Sequence, residues 1–323
     1  MKVISELLQA EGGVLVRRSH SSIRHQLDYC VRRGAMRAIL PGIYAAAEPS
    51  WESRVLAAGG FRPDCIITGA AAGIGRATAY AFAARRYTVG AYDLDEDGLA
   101  TLADDIRGTG GTVLTGHLDV TDYDEMSKRV AEFAQANGNR LDVMINNAGI
   151  LASGRFEEVD VAVSHREIDV NCKGMVNGLY AAFPYLRSTP SAVAVNLASA
   201  SAIYGQPELA IYSSTKFFVR GLTEALDIEW ERYGIRVIDM WPLFVQTAMT
   251  DDMHIGTTDS LGINLSAQDV ADAIVAAVDI SGLRKALRQV HFPVGRTARI
   301  MSVASRLAPG PLSRLINKRL SHQ

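Results

Sequence analysis

Cysteine is scarce in this chain of 323 residues, and the three cysteines lie far apart in the sequence. Cys30, Cys65 and Cys172 form no closely spaced pair of the kind that binds zinc. They are also too few and too dispersed for the disulfide framework of a small secreted domain. This pattern predicts no metal site and favours a reduced, cytoplasmic compartment.

Long apolar runs are absent as well. The most apolar stretches are the length of a β-strand or are interrupted by charge, so none is expected to span a bilayer. The segment from Met1 carries Glu6 early and has no apolar run typical of a signal peptide. Internal repeats and low-complexity tracts are also missing. The length predicts one to two domains with a substantial core.

The net charge of −2 conceals an uneven distribution. Residues 1–62 carry nine basic and five acidic side chains, residues 63–279 carry fifteen and thirty, and residues 280–323 carry nine and none. An acidic centre therefore lies between two basic ends. Such asymmetry raises the question of anionic partners at each end.

The centre of the chain alternates between predicted strands and helices. Such alternation predicts an α/β fold in which helices cover both faces of a doubly wound parallel sheet. The strands are expected near 64–68, 87–93, 113–118, 141–145, 191–197 and 235–241, with a further strand over 289–294; the helices are expected near 74–86, 95–107, 122–137, 157–187, 209–233 and from Ser266 through Val278. Residues 243–265 are expected to form a lid over a substrate.

A glycine-rich turn joins the first of these strands to its helix. The run Asp64–Thr68 leads into Gly69, Gly73 and Gly75. Strand, glycine turn and helix in this order form a pyrophosphate site, because the backbone can approach the phosphates and the helix N-terminus faces their charge. The next strand ends at Asp93, whose carboxylate can accept hydrogen bonds from an adenosine ribose and would repel a 2′-phosphate.

Tyr212 and Lys216 are four residues apart, so on a helix both side chains lie on one face. A free phenol has a pKa near ~10 and is a poor acid or base at neutral pH. A nearby ammonium favours the phenolate and is expected to lower that pKa. The pair alone is a weak signal, and the surrounding motifs must decide its meaning.

These motifs occur in an order that resembles the short-chain dehydrogenase/reductase family over residues 62–294. The resemblance implies a Rossmann fold with cofactor-binding residues at the glycine turn (Gly69, Gly73, Ile74, Gly75), at Asp93, at the adenine (Asp119, Val120), beside the nicotinamide (Asn147, Ala148, Gly149), at Tyr212 and Lys216, and after the last long strand (Pro242 to Thr247). It also implies a catalytic set of Asn171, Ser199, Tyr212 and Lys216.

The resemblance implies a role for each catalytic residue. Tyr212 would exchange a proton with the substrate oxygen while hydride passes to or from nicotinamide C4. Lys216 would hold the ribose hydroxyls, Ser199 would orient the substrate oxygen, and Asn171 would hold a water that links Lys216 to solvent. From the residues alone, Ser199 is also compatible with a strand end and Asn171 with a helix-interior amide.

Two positions indicate which dinucleotide the protein prefers. Members of the family that prefer NADP often carry a basic residue where this chain has Ala72, so Ala72 and Asp93 together favour NAD over NADP. Arg76 could still reach a phosphate.

The chain also has Leu243 where the family usually has glycine after Pro242, and the turn beside the nicotinamide is expected to differ there.

Residues 1–61 resemble the N-terminal winged-helix domain of abortive-infection antitoxin-like proteins. Helices are expected over Ile4–Glu11 and Ile23–Arg33, followed by two short strands around Pro41 and Gly42. The resemblance implies DNA contact through residues 1–44, with candidate contacts at Arg24, His25, Arg32 and Arg33. The alternative is a vestigial or dimerising appendage.

Residues 295–323 form a basic tail. Arg296–Leu307 and Leu312–Leu320 are apolar on one side and cationic on the other, which is typical of helices at an anionic lipid surface. The tail could thus bring a cytoplasmic protein to the inner face of the membrane. The alternative is a helix pair packed on the core or between subunits.

The sequence therefore predicts an NAD(H)-dependent oxidoreductase that interconverts a secondary alcohol and a ketone. The resemblance implies a homo-oligomer and a small-molecule substrate. The competing hypothesis is a transcriptional regulator whose dehydrogenase core senses the dinucleotide and whose N-terminal module binds DNA. The presence of Ser199, Tyr212 and Lys216 together favours the enzyme.

Overall fold

The computed structural model describes residues 14–16, 36–40, 43–46, 63–250, 255–280, 287–307 and 310–322. The chain divides into two compact units, Met1–Pro63 and Asp64–Gln323. The second unit contains all of the predicted catalytic and cofactor-binding residues.

In the first unit, strands β1 (Val14–Val16), β2 (Met36–Leu40) and β3 (Ile43–Ala46) form an antiparallel sheet in the order β1-β3-β2. Strands β2 and β3 pair on either side of residues 41–42, where two short strands were expected. The two expected helices and the four candidate DNA contacts lie outside the described residues. The winged-helix resemblance therefore stays a prediction.

The second unit is built on a seven-stranded parallel sheet. Its strands are β4 (Asp64–Thr68), β5 (Thr88–Asp93), β6 (Thr112–His117), β7 (Val143–Asn146), β8 (Val193–Leu197), β9 (Arg236–Pro242) and β12 (His291–Val294), in the order β12-β9-β8-β7-β4-β5-β6. The chain reverses its direction across the sheet between β4 and β7. Ligands of such sheets bind in the crevice at this point.

Helices cover both faces of the sheet, as the alternating pattern predicted. They are α1 (Gly73–Ala84), α2 (Glu96–Gly108), α3 (Tyr123–Ala136), α4 (Val161–Ile168), α5 (Gly174–Ser188), α6 (Ala210–Trp230), α7 (Gly256–Leu261), α8 (Ala267–Val278), α9 (Arg296–Leu307) and α10 (Gly310–Leu320). One apolar core contains side chains of α1, α2 and α8, and the other contains side chains of α3, α5 and α6. The sheet between them is buried on both faces, and every residue of β4 is buried.

The helical stretch predicted near 157–187 is present, but it begins later than expected and contains a π-helical turn that the sequence did not indicate. The chain begins α4 only at Val161, where the Asp160 carboxylate caps the helix by accepting from the Ala162 N–H. A π-helical turn, Asp169–Lys173, then separates α4 from α5. The sequence has no glycine or proline within that turn to signal the interruption. π-turns of this kind are frequent at functional sites, and this one carries Asn171.

The predicted lid, residues 243–265, contains the short strand β10 (Val245–Gln246) and helix α7, and it ends in β11 (Leu265–Ser266), which pairs with β10. Residues 251–254 lie outside the described residues. Ser266 and Asp269 then form a capping box that begins α8, as expected.

The two C-terminal helices were predicted from their amphipathic pattern and are present as α9 and α10. On α9, Ala298 and Ser302 are buried while Ile300 and Val303 are exposed. On α10, the Asn317 side-chain amide donates to the Gly205 carbonyl over 2.6 Å. None of the helices in the described part of the chain combines the length and the apolar character that a membrane span requires.

A histidine joins the edge strand β12 to β9 and α6. The two ring nitrogens of His291 contact the buried Asp239 carboxylate over 2.7 Å and the Glu224 carboxylate over 2.8 Å. Burial lowers the pKa of His291, but its hydrogen bonds and charge interactions with Asp239 and Glu224 outweigh burial and raise the pKa above the ordinary value. The protonated ring therefore stabilises the folded chain.

Replacing this ring tests its contribution to stability. We expect His291→Ala to lower the free energy of unfolding by about 3 kcal/mol in slightly acidic buffer, because Asp239 loses its partner inside the protein. A raised folded pKa stabilises fully below the unfolded pKa, and this contribution is lost as the pH rises through the folded pKa. Urea unfolding on both sides of this range should show the deficit narrowing at alkaline pH. An equal deficit at both would contradict the proposed protonation.

Candidate active site

The glycine turn lies where β4 ends and α1 begins, beside the crevice of the sheet. Gly69 and Gly73 have φ angles of +66° and +52°, which side-chain-bearing residues rarely adopt. Gly75 is constrained by space, since a Cβ there would press against the Gly69 carbonyl oxygen and lie 2.6 Å from the Asn147 amide nitrogen. These requirements explain why three glycines occur at these positions.

Asn147, which directly follows the neighbouring strand β7, fixes the turn. Its side-chain amide donates to the Thr68 and Gly69 carbonyl oxygens over 3.0 and 2.9 Å, and its backbone N–H donates to the Thr68 hydroxyl over 3.1 Å. The same hydroxyl accepts from the Ala148 N–H over 3.2 Å. Asn147 thus holds the turn in place, and the backbone of Ala148 and Gly149 continues along the pocket.

Asp93 lies at the end of β5 and lines the far part of the pocket. One carboxylate oxygen accepts from the Ala71 N–H over 2.9 Å, which joins β5 to the glycine turn. Arg76 is held elsewhere: its guanidinium donates to two carbonyl oxygens, to the Tyr80 hydroxyl and to the Asp105 carboxylate over 3.1 to 3.2 Å. The basic side chain that could have met a 2′-phosphate therefore already has four partners.

Asp119 and Val120 follow β6 and form another part of the wall. One Asp119 carboxylate oxygen accepts from the backbone and hydroxyl of Thr121, and the other accepts from the Arg166 guanidinium over 3.3 Å. Burial raises the pKa of Asp119, but these hydrogen bonds outweigh burial and lower it. Asp119 is thus held as a carboxylate, and the partner Arg166 was not foreseen from the sequence.

Tyr212 and Lys216 share one face of α6, as their spacing predicted. The Lys216 ammonium lies 5.3 Å from the centre of the Tyr212 ring and donates to the Leu197 carbonyl oxygen over 2.9 Å. Ser199 follows β8, and its hydroxyl contacts Ser201 and, over 3.4 Å, the Pro242 carbonyl oxygen. Tyr212, Lys216 and Ser199 all line the same pocket.

Burial controls the acidity of this group of residues. It raises the pKa of Tyr212 to about 12, against a hydrogen bond from Ser199 that lowers it. It lowers the pKa of Lys216 to about 8. The sequence predicted that Lys216 lowers the pKa of Tyr212, and this prediction is wrong. Removal of the phenol from water dominates, and the Lys216 amine donates to the Leu197 carbonyl oxygen instead.

Asn171 lies in the π-helical turn and is buried. Its amide nitrogen donates to the Ile150 carbonyl oxygen over 2.9 Å and to the Thr215 hydroxyl over 3.1 Å, and its amide oxygen accepts from the Ile150 N–H over 2.8 Å. It therefore fixes the loop after β7 against α6, next to Lys216. Asn171 therefore clamps this loop through its amide. The water that was predicted to link Lys216 to solvent stays a prediction.

The segment after β9 closes the other side of the pocket. Leu243 does not have a positive φ, so the turn after Pro242 differs from one that requires glycine. Thr247 faces the glycine turn, since a Cβ on Gly73 would lie 3.2 Å from the Thr247 methyl carbon. Leu243 and Tyr212 pack against a buried apolar cluster of Leu209, Phe244 and Ile255.

One pocket brings together nearly all the predicted site residues. They are Gly69, Gly73, Ile74, Asp93, Asp119, Val120, Asn147, Ala148, Gly149, Ser199, Tyr212, Lys216, Pro242 and Thr247. Gly75 and Asn171 lie behind its wall, where they hold the turn and the loop. Phe244 and Met249, from the predicted lid, also line the pocket, as do Arg166 and Ser201, which the sequence did not indicate because no motif marks them.

The donor set fits a dinucleotide. Tight glycine backbone at a helix N-terminus suits a pyrophosphate, Asp93 suits ribose hydroxyls, and the crevice extends from there to Tyr212. Within the described residues, no group of His, Cys, Asp and Glu side chains could hold a metal ion. The fold and the pocket together define a Rossmann-type, nucleotide-dependent oxidoreductase.

Comparison with known proteins gives the family. The family model for short chain dehydrogenase matches residues 64–256, and the chain belongs to this family. It is 35% identical over 189 residues to the 3-oxoacyl-acyl-carrier-protein reductase FabG of Thermotoga maritima, covering 58% of this chain and 76% of that protein. It is 34% identical over 217 residues to trans-4-hydroxycyclohexanecarboxylate dehydrogenase of Sinomonas cyclohexanicum, covering 65% and 83%.

A solved structure agrees with the fold. The 3-ketoacyl-(acyl-carrier-protein) reductase of Brucella melitensis, complexed with NADH, superposes with a TM-score of 0.64 at 27% identity, over 72% of this chain and 96% of that one. The predicted parallel Rossmann sheet and the family resemblance of the central region are thereby confirmed. A nicotinamide dinucleotide is the cofactor class that the family supports.

Proposed function

We propose that this protein is an NAD(H)-dependent oxidoreductase that interconverts a secondary alcohol and a ketone, with Tyr212 as the general acid and base. The observation that carries the proposal is the single pocket that joins the glycine turn and Asp93 to Ser199, Tyr212 and Lys216. A dinucleotide anchored at one end would place its reactive ring near the phenol at the other.

The chain's own residues supply proton handling and orientation. Tyr212 would give its phenol proton to a carbonyl oxygen or take one from an alcohol, and Ser199 would donate a hydrogen bond to the same substrate oxygen. Lys216 would hold ribose hydroxyls and place a positive charge beside the phenol. When bound, the nicotinamide supplies or accepts the hydride.

The substrate end of the pocket is apolar. Leu151, Leu243 and Phe244 surround Tyr212 together with Met249 at the rim. Two similar proteins are named for a 3-oxoacyl group and for a hydroxycyclohexanecarboxylate, which are both ketone or secondary-alcohol chemistry. We therefore propose a small ketone or secondary alcohol with an apolar body as the substrate.

The activity is tested by a panel of aliphatic, cyclic and acyl-thioester ketones and alcohols, followed through the absorbance of NADH and NADPH. We expect turnover of at least one apolar ketone, faster with NADH than with NADPH. Absence of turnover across all of these classes with both cofactors, for a protein that binds NADH, would contradict the proposal.

Asp93 should set the cofactor preference. We expect Asp93→Ala to weaken NADH binding about tenfold, because charge-assisted hydrogen bonds to the ribose are lost, and to narrow the preference over NADPH. Dissociation constants for both cofactors measure the change. Asp97→Ala is the control, since this exposed carboxylate lies in the first turn of α2. Unchanged affinity in Asp93→Ala would mean that the ribose binds elsewhere.

Other surfaces of the chain could contact a second copy of the protein, a membrane or DNA. We propose a homo-oligomer through α5 and α6, whose exposed side chains include Tyr180, Phe217, Phe218 and Ile228. Membrane contact through α9 and α10 stays a prediction, supported by the exposed Ile300 and Val303 beside Arg296 and Arg299. The regulator hypothesis depends on residues 1–44, most of which lie outside the described residues.

A further inference from the structure

A buried carboxyl group next to the catalytic residues has no part in the reaction proposed above. Glu167 lies in the last turn of α4 and is only 1% exposed. Acidic side chains are rarely buried to this degree without a specific partner. Glu167 lies two residues before the π-helical turn and four residues before Asn171, and both side chains contact the same loop.

Glu167 and Asn171 hold the same loop at alternate positions. The Ala152 N–H donates to the Glu167 carboxylate over 3.2 Å, and the Ile150 N–H donates to the Asn171 amide oxygen over 2.8 Å. Between them lies Leu151, which lines the pocket beside Tyr212. Release of either clamp would therefore move an apolar wall of the substrate pocket.

Charge links Glu167 to the catalytic lysine. Burial raises the pKa of Glu167 to about 7, and the backbone of Ala152 and the charge of Lys216 oppose this rise. Burial lowers the pKa of Lys216 to about 8, while Cys172 and Glu167 raise it. Burial also keeps the Cys172 thiol neutral, with its pKa at about 11. Among these groups Glu167 is the one that is ionised when Lys216 titrates.

We infer that Glu167 is a positioning residue of the active site, which clamps the pocket loop through the Ala152 N–H and acts on Lys216 through the charge of its carboxylate. The inference rests on the proposed oxidoreductase function. Among the described residues, the titratable groups that interact with this lysine are Tyr212, Cys172 and Glu167, which lie on three different elements. Burial raises the pKa of Cys172 to about 11 and that of Tyr212 to about 12, so Glu167 is the most acidic of these three groups.

Two substitutions separate the clamp from the charge. Glu167→Gln keeps an oxygen that can accept from Ala152 but removes the charge. We expect it to leave KM unchanged and to move the alkaline limb of the kcat/KM profile to lower pH by about one unit, because Lys216 loses its proton earlier. Glu167→Ala removes the clamp as well and should raise KM about tenfold. Glu158→Gln, an exposed glutamate of the same region, is the control and should change neither quantity.

Hydrogen exchange tests the clamp without any substrate, so its result does not depend on the proposed function. Hydrogen exchange at the Ala152 amide should be faster in Glu167→Ala than in the unmodified protein and in Glu158→Gln, even if no substrate is turned over. Unchanged exchange would overturn the clamp. An alkaline limb that stays in place in Glu167→Gln, with a normal melting temperature, would overturn the electrostatic role. The near-isosteric glutamine variant carries the test if Glu167→Ala fails to fold.

Discussion

Tyr212→Phe is expected to abolish most of the turnover while leaving NADH binding intact. The phenol lines the pocket and interacts with Ser199, and phenylalanine keeps the ring while removing the exchangeable proton. Loss of a positioned general acid costs about 100- to 10,000-fold in rate. The measurement is kcat with the best ketone of the panel, together with the dissociation constant of NADH by fluorescence titration.

The matched control is Tyr204→Phe. Tyr204 lies in the loop that precedes α6, and its hydroxyl accepts from the Gln206 side chain over 3.3 Å, but it does not line the pocket. This control should retain nearly full turnover. If Tyr212→Phe kept substantial activity, another group would have to supply the proton. If it lost NADH binding in parallel with turnover, the phenol would serve the cofactor rather than the substrate.

Gly75→Ala is expected to weaken both the fold and the binding of NADH. The added methyl group would press against the Gly69 carbonyl oxygen and lie 2.6 Å from the Asn147 amide, so the turn must move away from α1. Forced overpacking of this kind typically costs about 2 kcal/mol of stability. Because the displaced backbone is the part that should meet the pyrophosphate, NADH should bind about tenfold or more weakly.

Gly221→Ala separates this effect from a general intolerance of the fold. Gly221 is also a helical glycine, and a Cβ there would meet nothing within 4 Å. This variant should bind NADH normally and gain up to about 1 kcal/mol of stability from helix propensity. Calorimetric titration with NADH and urea unfolding check both variants. Normal affinity in Gly75→Ala would mean that the turn does not hold the pyrophosphate.

The parallel sheet could be predicted because its strands are short apolar runs that end at recognisable turns. Asp64–Thr68 was predicted to the residue, and Thr88–Asp93 to within one residue, since buried parallel strands read as continuous apolar segments. The candidate site could be predicted because its residues follow strand ends or share a helix face. Tyr212 and Lys216 needed only the helical period to be placed together.

Other features depend on tertiary contacts that leave no local pattern. The π-helical turn at Asp169–Lys173 has ordinary helix-forming neighbours, so the sequence predicted one continuous helix there. Burial of Glu167 follows from the loop that covers it, and glutamate at that position reads as a solvated helix residue. The raised pKa of Tyr212 likewise follows from burial, which the spacing to Lys216 does not reveal.

The interaction of His291 with Asp239 and Glu224 joins residues more than fifty positions apart. Neither carboxylate belongs to a motif, and the three groups meet only because β9 pairs with β12 and α6 packs beside them. The ion pair between Asp119 and Arg166 has the same origin, since Arg166 reaches the pocket from α4. Ion pairs between residues that are distant in the sequence could therefore not be predicted from local sequence patterns.

A crystal structure of the protein with NADH bound tests the central claim most directly. We expect the pyrophosphate at the glycine turn, the adenosine ribose at Asp93, and the nicotinamide ring against Tyr212 with its ribose hydroxyls on Lys216. A dinucleotide whose nicotinamide end lies away from the Tyr212 phenol, or whose pyrophosphate avoids Gly69 and Gly73, would contradict the assignment of this pocket as the place of hydride transfer.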